Sequence, residues 1–285
     1  MPVPQGVSIR PMTAADLPSG LRLCRAARWN QTAADWDFFL GTAAGAALVA
    51  EEASLVIGTV ATVPYGPFTW ISMVLVDPAS RGRGIGRLLL ERGLALVAEN
   101  VTARLDATAA GEPLYRSLGF APEHSLARWF IEARGVRDGA MARTRRVDPA
   151  DWAEILRMDA KLFGASRRSL LERLAADAPE YARALSADGR LRGYLFGRHG
   201  HVREHLGPLV ADSLESARAL LGGCLFAHST RTFFLDVPER EDAWSDVLTD
   251  FGFSVERPFL RMHRGHSIAR GNPDGIYAVT GPEFG

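Results

Sequence analysis

The stretch Met73-Val-Leu-Val-Asp-Pro78-Ala-Ser-Arg81-Gly82-Arg83-Gly84-Ile85-Gly86-Arg87-Leu-Leu-Leu90 decides the fold. Its aliphatic, β-branched opening predicts a strand. The strand runs into a turn with three glycines, and a helix follows with apolar positions at Ile85, Leu88, Leu89, Leu96 and Val97. Glycines let backbone N–H groups converge, and a helix N-terminus adds partial positive charge, so the turn suits an anion such as a pyrophosphate. It has neither the G-K-[ST] of a P-loop nor the glycine spacing and early-chain position of a dinucleotide fingerprint.

Outward from this turn the chain repeats itself. A shift of 135 positions lays Arg10-Pro-Met-Thr13-Ala-Ala-Asp16 over Arg145-Arg-Val-Asp148-Pro-Ala-Asp151, each a short strand ending at a helix N-cap residue. With small drifts, Leu55-Val-Ile-Gly58 then matches Arg190-Leu-Arg-Gly193, and Leu75-Val76 matches Leu209-Val210. Leu105-Asp106 matches Leu235-Asp236, and Gly119-Phe120 matches Gly252-Phe253. Five matches in one order point to duplication. The boundaries fall at 1–135, 140–266 and a tail at 267–285, with Glu132–Gly139 as linker. In the first copy, strands are predicted near 7–12, 46–52, 55–64, 67–77, 102–107 and 126–133. Helices are predicted near 14–27, 31–40, 84–99 and 109–118. Because 46–77 reads as an antiparallel meander, the class is α/β with a mixed (α+β) sheet rather than a doubly wound parallel one.

Composition excludes several function classes. Apolar residues are 47% of 285 and charged residues 23%, an ordinary globular profile. Basic and acidic residues balance at 33 each, and no basic stripe with interleaved aromatics occurs, which argues against nucleic acid as a partner. No apolar run is long enough to span a membrane, and Met1-Pro-Val-Pro is not a signal sequence. Cys24 and Cys224 stand far apart with no CxxC, which fits a reducing, cytoplasmic setting. His199, His201 and His205 share an alternation, but without a neighbouring carboxylate or cysteine cluster they read as a solvated hairpin, so no metal is expected.

The pattern V-x-P-x-x-R-x-x-G-x-G over 76–86 resembles the acyl-CoA loop of the GNAT superfamily of N-acetyltransferases. Leu105-Asp-Ala-Thr108, followed by Leu-Tyr115-Arg-Ser-Leu-Gly119-Phe120, is similar to the family's second CoA-contacting segment, with Thr108 where an asparagine is common. Trp29-Asn30, the L-D-A-T at 105–108 and Gly207-Pro208 are similar to the two-domain YitH-like branch, a tandem duplicated GNAT acyl-CoA acyltransferase fold. The resemblance implies that strands 73–77 and 102–107 splay and that backbone of Val74 and Val76 pairs with pantetheine amides. It places the pyrophosphate on Arg81, Gly82, Arg83, Gly84, Ile85, Gly86 and Arg87, and it makes Tyr115 the acid that protonates the departing thiolate. Some members carry a glutamate base where Trp70 stands here, with Ser72 nearby, so the base stays open among Asp35, Asp37, Glu51 and water.

The implied activity is transfer of an acetyl group from acetyl-CoA to a primary amine of a small molecule or peptide, in a ternary complex. The alternative is a non-catalytic acyl-CoA sensor. The protein would be a monomer or homodimer. Trp29, Asn30 and Trp36 are candidates for the acceptor wall, with Trp70 beside them, and Arg167 or Arg261 for an acceptor carboxylate. The second copy has lost both halves of this chemistry. After Leu209-Val210 its turn has no glycine and carries Glu215, and Leu248 stands where the first copy has Tyr115. CoA is therefore expected on the first copy alone, with the acceptor in a cleft between the two.

Overall fold

The computed structural model describes residues 4–42, 46–132, 144–239, 243–265 and 273–285; the linker beyond Glu132 lies outside them. The first copy runs β1 (Val7–Pro11), α1 (Leu17–Ala26), α2 (Ala33–Thr42), β2 (Ala47–Glu52), β3 (Leu55–Pro64), β4 (Phe68–Val76), α3 (Ile85–Leu94), β5 (Thr102–Ala107), α4 (Glu112–Ser117) and β6 (Ala121–Glu132). The second runs β7 (Thr144–Arg146), α5 (Trp152–Phe163), α6 (Arg168–Asp177), β8 (Arg183–Ala187), β9 (Arg190–Arg198), β10 (Glu204–Ala211), α7 (Leu214–Ala227), β11 (Thr232–Pro238), α8 (Trp244–Phe251) and β12 (Ser254–Arg264), and the tail adds β13 (Ile276–Ala278). The duplication is visible in side chains: Arg10 forks onto Asp16 and Arg145 onto Asp151, each aspartate closing a capping box at Thr13 or Asp148.

The copies do not form separate sheets. All strands join one 13-stranded mixed sheet in the order β1-β2-β3-β4-β5-β12-β6-β11-β10-β9-β8-β7, with β13 on β10. Strand β12 of the second copy inserts between β5 and β6 of the first, antiparallel to both. Strand β6 in turn pairs with β11 of the second copy. The equivalent strands β6 and β12 face each other about a pseudo-dyad, with Leu126 opposite Phe259 and Ala127 opposite Pro258. This exchange explains why β6 begins at Ala121 rather than near 126: its first residues pair with Leu260–His263 of the other copy, a partner no local pattern reveals.

Two reciprocal ion pairs lock the crossing. Arg128 on β6 donates to both carboxylate oxygens of Asp236 on β11 at 2.7 Å. Arg261 on β12 donates to both oxygens of Asp106 on β5 at 2.8 Å. Asp106 and Asp236 are matched positions of the repeat, and both pairs are buried. Removing one partner of such a pair strands a buried charge, at about 3–5 kcal/mol.

Helices α1, α2, α5 and α6 share one apolar core on one face of the sheet, so the largest cluster belongs to both copies. Helices α3 and α7 cover the other face over two separate clusters. Helix α3 stops at Leu94 rather than near 99, leaving Leu96 45% exposed.

A fragment of residues 1–138 would leave β5 without β12, and β6 without β11 or β12. It is expected to lose the native fold rather than survive as a CoA-binding module. Size-exclusion chromatography and circular dichroism check this, and a monomeric fragment that unfolds cooperatively would contradict it.

Candidate active site

The site begins where two parallel strands part. β4 and β5 pair only at Phe68–Thr102, Thr69–Ala103 and Trp70–Arg104. Beyond Trp70 a bulge takes over: Ala61 faces Ser72 and Thr59 faces Leu75, so Met73 and Val74 oppose one residue of β3. Met73 adopts φ +53°, and the Thr59 hydroxyl donates to its carbonyl at 2.7 Å. The β4 edge at Val74 and Val76 therefore has no strand partner on the β5 side.

The glycine turn follows directly. Gly82 and Gly84 have φ of +77° and +80°, which side-chain-bearing residues rarely adopt, and Gly84 is the N-cap of α3. Arg83 forks onto Glu52 at 2.8 and 2.6 Å, and Arg87 holds Glu91 at 2.9 Å. Arg81 donates to the Val76 carbonyl at 3.3 Å and makes no ion pair among the described residues.

A cleft opens between the parted strands. The first copy lines it with Trp29, Gln31, Ser72, Val74, Asp106 and Tyr115. The exchanged strands add Arg128, Arg257 and Phe259, and the tail adds Pro282 and Glu283. Tyr115, on α4, is 9% exposed, and burial pushes its phenol up to about 12, so it keeps its proton at neutral pH. Its ring lies against Gly111, where an added Cβ would sit 2.8 Å from a ring carbon. Burial raises the Asp106 carboxyl above its ordinary value against the opposing pull of Arg261.

The structure distributes the other candidates differently. Trp29 lines the cleft, whereas Trp36 is fully buried in the shared core. Asn30 is a clamp between copies: its amide donates to the Arg203 carbonyl at 2.7 Å and accepts from the Val202 N–H at 2.8 Å. Trp70 is buried beneath Arg261 and donates to the Pro282 carbonyl at 2.9 Å. Arg167 is taken by Asp159 and also donates to Thr280, and Arg261 is taken by Asp106, so neither guanidinium is spare. Of the open base candidates, Asp35 pairs with Arg198, Glu51 with Arg10, and Asp37 is exposed; none lines this cleft. His199 sits on the exposed hairpin, but His205 is buried, and burial beside Arg198 pushes its imidazole down to about 4. Among the described residues no group of three or more His, Cys, Asp or Glu side chains is arranged to hold a metal.

The tail at 276–280 reads from sequence as a final strand carrying Glu283, and the structure supplies two placements that sequence reasoning left open. Glu283 is 2% exposed, held through Oε1 by Arg198, and reaches the cleft on a tail fixed by Tyr65 donating to the Phe284 carbonyl at 2.9 Å. The second placement is a plug. β10 and β11 also pair only briefly, at Glu204–Phe233 and His205–Phe234, and then part. There the opening holds β13, with Ala278 on Leu209, Ile276 on Val210, and Val279 bridging Asp236. Backbone of this chain thus takes the place that β4 leaves free in the first copy. A groove at the start of α7 is lined by Asp188, Asp212 and Glu215 together with Arg192, which pairs with both aspartates, and Leu248 is fully buried.

Comparison with known proteins places this arrangement. Two models of an acetyltransferase (GNAT) domain match, at residues 43–122 and 155–278. The chain is 26% identical over 239 residues to YitH of Bacillus subtilis (strain 168), an uncharacterized N-acetyltransferase, covering 81% of each protein. The crystal structure of a putative acetyltransferase from Pyrococcus horikoshii superposes over 100% of this chain and 98% of its own, with TM-score 0.84 at 25% identity. A GCN5-related N-acetyltransferase from Sphaerobacter thermophilus shares the fold over 98% of this chain and 100% of its own, with TM-score 0.67 at 18% identity.

With one open slot and one plugged slot, acetyl-CoA is expected to bind once per chain. Gly84→Asp, which forces a side chain and a negative charge into the turn at positive φ, should abolish that binding. Isothermal titration calorimetry reads both results, and two equivalent sites per chain would refute the assignment.

Proposed function

Because the chain belongs to the GNAT acetyltransferases, as a two-domain, YitH-like member of that family, we propose that it moves an acetyl group from acetyl-CoA directly onto a primary amine in a ternary complex. One observation carries this reading: the cleft where β4 and β5 part, on the strand that leads into the glycine turn of α3, with Tyr115 in its wall. The unpaired β4 edge at Val74 and Val76 offers backbone groups to the pantetheine amides. Backbone N–H groups from Arg81 to Gly86, the start of α3 and the unpaired Arg81 guanidinium suit the pyrophosphate.

In the reaction the amine nitrogen attacks the thioester carbonyl carbon; a C–N bond forms and the C–S bond breaks. The proton lost by the amine leaves to a base, and the departing thiolate takes the Tyr115 proton, which solvent restores. A buried phenol that stays neutral until about pH 12 holds that proton ready throughout the physiological range. The cleft draws walls from both copies, which supports an acceptor site built by the exchanged strands and the tail.

Tyr115→Phe keeps the ring packing and loses only the hydroxyl. It should leave acetyl-CoA affinity within a few-fold and lower turnover on the order of 10²-fold, the scale of one positioned acid. CoA release measured against a panel of primary amines tests the reaction. Tight acetyl-CoA binding without transfer to any amine would favour a sensor instead.

A further inference from the structure

Four buried side-chain polar atoms without a hydrogen-bond partner among the described residues belong to residues lining this one cleft: Gln31 Oε1, Ser72 Oγ, Arg257 Nε and Glu283 Oε2. Buried polar atoms are rarely left unpaired, so a concentration of them in one cleft marks the chemistry of what fills it. From this we infer that the acceptor is a zwitterion, an amine that also bears a carboxylate. Its ammonium docks on Glu283, Gln31 and Ser72, and its carboxylate on Arg257. The inference rests on the proposed transfer for the fate of the amine, and on the cleft alone for the binding site.

The charge inventory supports one cation and one anion on the ligand. Asp106 is neutralised by Arg261 and Arg128 by Asp236, each through two hydrogen bonds. Two lining charges keep unused capacity. Glu283 gives Oε1 to Arg198, a guanidinium it shares with Asp35, and keeps Oε2 free. Arg257 makes no ion pair among the described residues and is steadied over the Phe259 ring at 5.0 Å. An ammonium has three donors, and three unpaired oxygens await it: one on Glu283, one on Gln31 and the Ser72 hydroxyl. A planar guanidinium fits a carboxylate in a fork, and a singly charged carboxylate matches a single spare cation where a phosphate would add a second charge.

Both ends of the site are held in place. Gln31 follows Asn30, whose clamp on the β9–β10 hairpin fixes the chain at that point. Glu283 is carried on the tail that Trp70 and Tyr65 pin to the first copy. The Glu283 carboxylate then also takes the proton that the ammonium must lose: one N–H bond breaks, one O–H bond forms, and the nitrogen lone pair is released for attack.

The test uses the full chain with free α- and ω-amino acids and, for each, the amine that lacks the carboxylate. Binding is measured by calorimetry and transfer by CoA release, for the native protein, Arg257→Gln and Glu283→Gln. Removing the carboxylate should lower kcat/KM by about 10–100-fold in the native protein. That penalty should vanish in Arg257→Gln, while its acetyl-CoA affinity stays within a few-fold and shows the variant is folded. Glu283→Gln should lower kcat by about 10²-fold with acetyl-CoA affinity within a few-fold of native. Simple amines used as well as their acids, a penalty that persists in Arg257→Gln, or transfer to none of the acids would overturn the inference. Acetyl-CoA that fails to bind would bring down the proposed reaction alone, since Arg257-dependent binding of an amino acid is read separately.

Discussion

At the crossing of β6 and β12 two buried guanidiniums each grip a carboxylate from the opposite copy: Arg128 holds Asp236 and Arg261 holds Asp106. Without these pairs the centre of the sheet would carry four uncompensated buried charges, and the strands of the two copies would have no reason to choose each other over their own neighbours. Buried charge is a demanding specifier because only one register satisfies it. The cleft follows from that register. Its floor is where β5 leaves β4, its far wall is β12 delivered by the exchange, and Arg128 enters it already neutralised.

The same ancestral slot has met two fates in one molecule. In the first copy a bulge at Met73 turns β4 away from β5 and leaves its backbone edge open. In the second, β13 hydrogen-bonds along the corresponding edge, with the Trp244 indole donating to the Tyr277 carbonyl to hold it there at 2.9 Å. Having filled that slot, the tail continues across to the first copy and delivers Glu283. The filled slot of one copy and the Glu283 wall of the other's cleft are thus set by one segment of chain.

Local chemistry made part of this legible in the sequence. The turn at 81–86, the strand-to-helix change around it and Tyr115 on its short helix are all signalled by residues adjacent in the chain, and the structure places Tyr115 in the wall of the cleft beside the strand that leads into the turn. The repeat was legible because matched residues do matched work, as Arg10–Asp16 and Arg145–Asp151 do. Long-range pairing was not legible. Nothing near Ala121 announces that its partner lies on β12, and nothing in Gly281-Pro-Glu283-Phe places a carboxylate in a cleft of the other copy. Arginines misled for a related reason: Arg167 and Arg261 look available for a ligand until their internal partners Asp159 and Asp106 are seen. Asn30 follows the first helix, where the resemblance puts the acceptor wall, yet its amide is spent on the backbone of a distant hairpin.

The exchange also sets a schedule for synthesis. β5 ends at Ala107, and the strand that covers its edge begins at Ser254. At ribosomal rates of about 5–20 residues per second, that edge waits roughly 7–30 s for its partner. An uncovered strand edge is a template for any other strand, and Arg104 and Asp106 place charges along it that discourage the wrong ones. On a crowded message the neighbouring nascent chain carries an identical β12. Its residues match those of the crossing one for one, so the waiting β5 edge meets two identical candidates for the same place.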